Sequence, residues 1–576
     1  NPLLLTMMAI LNRNQELPRD RPELYNQASR VLLHQWDVEQ KLLENPRIDS
    51  VAIDYKDKQA MLRQVAYHMQ AADKGLAGNL IRGNDLERIL TGYLKSIEVS
   101  QARTVARLLI EQLRSRNFIL CYLGADSYGF VHRTFLEYFC ACEFVERFGK
   151  RGLEGGLTLE ELKTKVFGKH WQDESWHEVL RLITGMIDTS FAGEIIDDLM
   201  ALDSEEEQFI NLFLAAKCLS EVRNRTAIAS AVEKLSKQLQ GLMSYRSIIP
   251  MGRFYRDLGL NARVTKICTQ AVAAVAITWN DDPNTLAILK QRAQADDDKD
   301  VRRAAVQELA RGWKDDPDTV AILKQRAQVD SAGEVRCAVV QELTRGWKND
   351  PDTLAILKQR AQVDSAGEVR YLAVQELTRG WKNDPDTLAI LKQRAQADGD
   401  KAVRRAAVQE LARGWKNDPD ILTMLKYRAQ TDGAGEVRAA AMQELASGWR
   451  DDPDTLAILK QRAQADGAEL VRCRAAQELA RGWKDEPDTL AIVRELARGW
   501  KDEPWMFEFL CDRALNDPFE RKKDGEDNPR QLALEIIIKQ YRDRPQTLLL
   551  LQDRAENDSD EKVREFAQKK LAELEE

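Results

Sequence analysis

Few side chains in this sequence stand where they could do chemistry, and His132 is the first. It falls in Phe130-Val-His132-Arg-Thr-Phe135-Leu-Glu137-Tyr138-Phe139, between a run that reads as a strand and one that reads as a helix. An imidazole at the start of a helix can donate to a phosphate, because the free amides of the helix end point the same way. The alternative is that His132 caps or packs at the junction. Pro2, in Asn1-Pro2-Leu-Leu-Leu-Thr, starts an apolar helical pattern at a place where a missing N–H costs nothing. His170 and His177 are seven apart and could share a helix face, but no cysteine or further histidine stands near them, so no metal is expected. The eight cysteines show no paired spacing and read as free thiols of a reducing cytosol. G-x-x-x-x-G-K-[ST] occurs nowhere, so no phosphate-cradling loop and no catalytic residue can be named, and this stretch is not expected to hydrolyse ATP.

The elements that must position His132 are mostly helices. Amphipathic patterns predict helices at 23–39, 57–70 and 100–114. Phe118 to Leu123, the turn Gly124-Ala-Asp-Ser, and Tyr128 to His132 then read as strand, turn and strand, with a helix from Arg133 to Arg147. Helices followed by a two-stranded ribbon are the makings of a winged helix. Further helices are predicted at 157–167, 171–188, 192–202 and 206–223, with Trp171, Trp176, Leu180, Leu182 and Ile183 as core candidates.

The block from Phe130 to Phe139 resembles the winged-helix signature of NACHT-family signalling NTPases: an apolar residue, His, a few spacers, then Glu and an aromatic. Asn1-Pro2-Leu-Leu-Leu-Thr, Leu17-Pro-Arg-Asp-Arg and Leu24-Tyr25 resemble the helical segment that follows the NACHT nucleotide-binding core. The resemblance implies that Pro2 packs against adenine. It implies that His132 reaches the β-phosphate of ADP and holds a closed resting state. It also implies that this is the C-terminal portion of a longer parent, with ADP or ATP and Mg bound by the parent and no cofactor in this stretch.

The second half is a repeat. Tryptophan recurs at 279, 313, 347, 381, 415, 449 and 483, each step being 34 residues. One such unit cannot bury its apolar face alone, so a strict period predicts a solenoid. Each unit reads as two helices. Pro317 with Asp318 or Thr319 opens the first, and Val320, Ile322, Leu323 and Ala327 are its apolar positions. The second runs from Glu334 to Arg345, Gly346 is expected to stop it in the left-handed conformation, and Trp347 to fold back as an apolar plug. The period is also that of tetratricopeptides, but their Trp-Leu-Gly-Tyr pattern is missing. Val-Arg-x-x-Ala-x-x-x-Leu in the second helix resembles short bacterial HEAT repeats instead, and their pairing with NACHT looks cyanobacterial. The Arg of that motif (Arg336, Arg370, Arg404) and the turn Asp (Asp330, Asp364, Asp398) resemble the HEAT ladder that bridges adjacent units.

One column varies in this uniform text: Arg303, Cys337, Tyr371, Arg405, Ala439 and Cys473. It shares a side with Gln307, Gln341, Gln375 and Gln409, four residues on, and with Gln443 and Gln477. We read it as a solvent-facing contact surface on the concave side, or else as a face free to drift. The period breaks after Trp483, since Trp500 follows 17 residues later, which predicts a single helix between Asp488 and Gly499.

The expected fold is mainly α. A helical domain (1–50) and a winged-helix domain (51–156) lead through a helical connector (157–270) to an α-solenoid (271–517, half-unit at 489–499) and a terminal repeat and cap (518–576). A balanced charge, net −8, argues against a basic nucleic-acid-binding surface. No run of about 18 apolar residues offers a membrane span. A cytoplasmic regulatory switch is the expected function, with the repeats sensing a protein or other macromolecular ligand. By resemblance its partners are its own NACHT core and further copies on activation, and its setting is defence against phage. The alternatives are a HEAT scaffold with no nucleotide switch and a HEAT-type bilin lyase.

Overall fold

The structure, a computed structural model, describes residues 20–35, 53–71, 79–115, 119–248, 259–483, 489, 492, 504–517, 519–520 and 528–575. Pro2, nearly all of the expected half-unit and residues 521–527 of the expected terminal segment lie outside these residues. The chain divides into two compact units, Asn1–Trp313 and Lys314–Glu576.

In the first unit, α1 (Arg21–Arg30) starts where Asp20 accepts the Glu23 N–H at 2.8 Å, with Pro22 in its first turn. Next come α2 (Tyr55–Ala71), β1 (Ile81–Arg82), α3 (Gly83–Ser96), α4 (Ala102–Ser115), β2 (Leu120–Gly124), β3 (Ser127–Phe130) and α5 (Arg133–Gly149). The strands pair antiparallel in the order β1-β3-β2, which with α2 to α4 completes a winged helix. The hairpin turn is tight because Ala125 and Asp126 both take positive φ, 48° and 56°, matching the twist of the flanking strands. The sequence reading missed β1 and α3. A strand of two residues carries no period, but α3 does: Leu86, Leu90 and Leu94 recur every fourth residue and all are fully buried.

Beyond α5 lie α6 (His177–Met186), α7 (Thr189–Ala201), α8 (Ile210–Glu221) and α9 (Ala229–Met243). The helix expected over 206–223 starts only at Ile210, because Gln208 and Phe209 have φ of 58° and 60°. The one expected over 171–188 starts at His177, after a 3₁₀ turn. Helices α10 (Leu260–Thr278), α11 (Pro283–Ala295) and α12 (Lys299–Gly312) close the unit.

The second unit is an array of helix pairs: α13 (Pro317–Val329) with α14 (Gly333–Gly346), α15 (Pro351–Val363) with α16 (Gly367–Trp381), and α17 (Pro385–Ala397) with α18 (Lys401–Gly414). Then come α19 (Pro419–Thr431) with α20 (Gly435–Gly448), α21 (Pro453–Ala465) with α22 (Glu469–Gly482), α23 (Pro504–Asn516) with α24 (Pro529–Gln540), and α25 (Pro545–Asn557) with α26 (Glu561–Glu575). The text of the repeat explains each start. Asp384 caps α17 by accepting the Asp386 N–H at 3.1 Å, and Pro385 takes the first helical position. Thr387 is fully buried and donates to the Trp381 carbonyl at 3.0 Å. One continuous apolar core runs from Val340 to Ala567.

Three side-chain ladders tie neighbouring units of this array. Inside, Arg336 holds Asp364 (2.9 and 2.6 Å) and Arg370 holds Asp398 (2.8 and 2.7 Å). Arg404 holds Asp432 and Arg438 holds Asp466 in the same bidentate way. Each Arg also donates to the carbonyl of its own turn, as Arg370 does to Asp364 O at 2.7 Å. Outside, Lys358 meets Asp384 and Asp386 (2.7 and 2.8 Å), and Lys324, Lys392 and Lys426 repeat the contact. At the edge, Lys348, Lys382, Lys416 and Arg450 lie over Trp381, Trp415, Trp449 and Trp483, 5.6–5.9 Å from the ring centres.

This edge corrects two expectations. The tryptophans are half-buried rather than plugs, packing one face on the core and offering the other to a cation. The glycine before each Trp is not left-handed. Gly346 and Gly414 are the last helical residues, and Trp347 and Trp415 follow with φ of −130° and −132°. A Cβ on Gly414 would meet only the Lys382 stem at 3.6 Å and Thr378 at 4.0 Å, ordinary contacts. Gly414→Ala is therefore expected to stabilise the array by about 0.4–1 kcal/mol in thermal or urea unfolding. Gly367 is the opposite case. Its Cβ would fall 2.0 Å from the Asp400 carboxylate, which caps α18, so Gly367→Ala should destabilise.

Candidate functional site

His132 is fixed by what flanks it. Phe130 ends β3 in the core, Val131 is exposed, and His132 is the N-cap of α5 with extended backbone (φ −128°, ψ 129°). Its carbonyl accepts the Phe135 N–H at 3.0 Å. Its ring does not cap the helix, and it makes no hydrogen bond or ion pair among the described residues. The ring is half-buried.

The rest of the block has structural work. Arg133 donates to Glu137 at 2.8 Å and to the Ser175 carbonyl at 3.2 Å. Burial raises the Glu137 pKa and Arg133 opposes the rise. Tyr138 packs against Tyr25 in a tilted arrangement with ring centres 5.7 Å apart, and burial pushes its phenol well above the ordinary range. Phe139 is 1% exposed and touches the rings of Phe130, Phe135 and Tyr138. In the other block, Asp20 pairs with Arg223, and Arg21 with Glu178 and Glu221, which ties α1 to α6 and α8. Of the charged and aromatic polar side chains in the block around His132, Arg133, Glu137 and Tyr138 have partners, and His132 has none among the described residues.

A cavity of about 500 Å³ opens beside α1, lined by Asp20, Glu23, Arg63, Tyr138, Met186 and Arg223 among others. His132 is not in its wall. Two other histidines are spent on packing, while His68 is exposed. His170 stacks on Trp176 at 3.7 Å, and His177 is buried with Nε2 2.7 Å from the Trp171 carbonyl. No metal-binding group occurs among the described residues, and all eight cysteines are free.

On the repeats, second helices pack on one another more extensively than first helices do, so they form the tighter side of the array. The variable column lies on them but is less open than expected. Arg405 is exposed, Arg303, Cys337, Tyr371 and Cys473 are half-buried, and Ala439 is buried. Burial raises the thiol of Cys337 to about 11. Of the glutamines, Gln341 is exposed and Gln307, Gln375 and Gln409 are half-buried. Sequence reasoning missed a row of glutamates beside them. Glu410, Glu444 and Glu478 all have pKa values raised by burial.

Comparisons with known proteins bear on both halves. A family model described as the winged helix-turn-helix domain C-terminal to NACHT matches residues 21–144. A second, described as HEAT repeats, matches residues 286–378 and 388–480. No curated protein sequence matches the chain. Among solved structures, YibA of Escherichia coli is similar over 47% of this chain and 94% of its own (16% identity, TM-score 0.31). Kap121p is similar over 99% of this chain and 56% of its own (11% identity, TM-score 0.37). UNC-45 from Drosophila melanogaster is similar over 99% and 88% (12% identity, TM-score 0.21). The chain is thus NACHT-associated: a winged helix-turn-helix domain of the kind found C-terminal to NACHT, followed by HEAT repeats.

Proposed function

We propose that this chain is the regulatory portion of a NACHT nucleotide switch, in which the winged helix holds the ADP-bound resting state and the HEAT repeats sense a protein ligand. The observation that carries the first half is the ring of His132 at the N-terminus of α5, without a partner among the described residues, beside Arg133 and Glu137, which pair with each other. A neutral imidazole there can donate one N–H to a phosphate oxygen of ADP held by a NACHT core. The second half rests on the family match of the repeats and on their long, polar second-helix side. Ligand binding on the repeats would shift the balance only by favouring the open state over the closed one. Defence against phage is the setting we propose for such a switch.

In a chain that includes the nucleotide-binding core, His132→Ala should shorten ADP retention about tenfold, as loss of one hydrogen bond to a charged group implies. Release of a fluorescent ADP analogue from the purified protein measures this. Unchanged release would remove His132 from the switch.

A further inference from the structure

We propose that the row of glutamines on the second helices of the array binds the main chain of an extended, polyproline-II-like segment of a protein partner, one turn of segment per repeat. The inference rests on the reading that the repeats bind a protein ligand, and it names the form in which that ligand is held.

Gln341, Gln375, Gln409, Gln443 and Gln477 occupy one register of α14, α16, α18, α20 and α22, which pack in succession. The side chains of Gln341, Gln409 and Gln443 make no hydrogen bond among the described residues. Gln375 gives only one of its N–H groups, to the Tyr371 hydroxyl at 3.0 Å, and Gln477 accepts from Arg474 at 3.1 Å. A primary amide offers a donor and an acceptor together, the pair a peptide unit needs in reverse.

The spacing selects the conformation. Packed helices stand about 8–10 Å apart. A polyproline-II chain rises about 3.1 Å per residue with three residues per turn, so one turn spans about 9.3 Å and brings the same side of the segment to each glutamine. A β-strand alternates its sides and would offer opposite faces to successive repeats. Polyproline-II backbone leaves its own N–H and C=O groups unpaired, so it has free groups to give.

Charge points to a peptide rather than a nucleic acid. The arginines one helical turn beyond the glutamines are neutralised in place, Arg345 by Glu342 at 3.0 Å and Arg379 by Glu376 at 2.6 Å. Little free positive charge is left there for phosphates. The variable column, one turn on the other side, would then read side chains of the segment, with Tyr371 and Arg405 the most distinctive readers.

The test is selection of displayed random peptides of about twelve residues by the intact chain, compared with a chain carrying Gln375→Ala, Gln409→Ala and Gln443→Ala. Circular dichroism and thermal melting confirm that the variant folds, as alanine favours these helices. We expect peptides enriched by the natural chain only. Affinity should fall about five- to tenfold per glutamine removed, and N-methylation of the peptide main chain should weaken binding at every third residue. Equal binding by the variant, a pattern of period two or four, no enrichment, or binding of oligothymidylate that the glutamine changes abolish would each overturn the proposal. A parallel selection of displayed folded domains separates the two readings. Domains released by Arg405→Glu while peptides fail would retain the repeat face as a docking surface and overturn the extended segment alone. Failure of both would overturn both.

Discussion

Asp398→Ala should lower the stability of the array by about 3–5 kcal/mol, the cost of breaking a buried ion pair from one side. The Asp398 side chain is fully buried. It holds both arms of Arg370 (2.8 and 2.7 Å), accepts from Arg394 at 3.1 Å, and accepts the Asp400 N–H at 2.9 Å. Alanine removes all four bonds and leaves the Arg370 guanidinium, itself largely buried, without its anion. Arg370→Ala should cost less, because Arg394 and the amide still satisfy Asp398. Repeat arrays unfold by unit and interface, so the loss should appear as faster amide hydrogen exchange in α16 to α18, with α25 and α26 unchanged. A loss below about 1 kcal/mol would mean that the ladder contributes no more than a surface pair.

The same residue sets the acid response. Burial alone would raise the pKa values of Asp364, Asp398, Asp432 and Asp466, but the arginines and turn amides outweigh it and hold them below the ordinary value. A depressed folded pKa gives stability that is present above the unfolded value, near pH 4, and is lost as pH falls below it through the folded values. Asp398→Ala should therefore show a flatter fall in stability below about pH 4 than the natural chain.

Phe139→Ala is the second large effect, about 3–5 kcal/mol in the winged-helix unit. Phe139 is buried where Phe130 of β3 meets Phe135 and Tyr138 of α5, with ring centres 5.2–6.3 Å away. Removing the ring opens a cavity between the strand and the helix whose junction positions His132. Hydrogen exchange should rise in β3 and α5. Phe139→Leu, which keeps most of the volume, should lose less. An equal loss from both would place the ring outside the load path of the junction.

Much of this was open to a reader of the sequence, for reasons that differ by residue. The Arg–Asp ladder was legible because both partners recur in a fixed register and opposite charges of that kind have few other uses in an apolar array. The winged helix was half legible: its hairpin declared itself through Gly124-Ala-Asp-Ser, while β1 is too short to carry a pattern. The Trp edge was misread because burial was inferred from residue type. Whether a ring is a plug or a platform depends on a lysine stem arriving from 33 residues earlier, as Lys382 reaches Trp415. The position of His132 at a helix start was visible in the pattern. That its ring would be left over was not, since this depends on where Arg133, Glu137 and Tyr25 find partners.

The three ladders share a direction. In each, the cation comes from the earlier repeat and its carboxylate or ring from the later one. Each repeat from Pro351 to Gly448 is thus a plug at one end and a socket at the other, and these sockets and plugs are nearly interchangeable. Excision of one 34-residue segment between matching positions would rejoin a plug to a socket it already fits. The length of the array can therefore change in whole repeats without new interface chemistry, so its reach is adjustable in steps of one repeat.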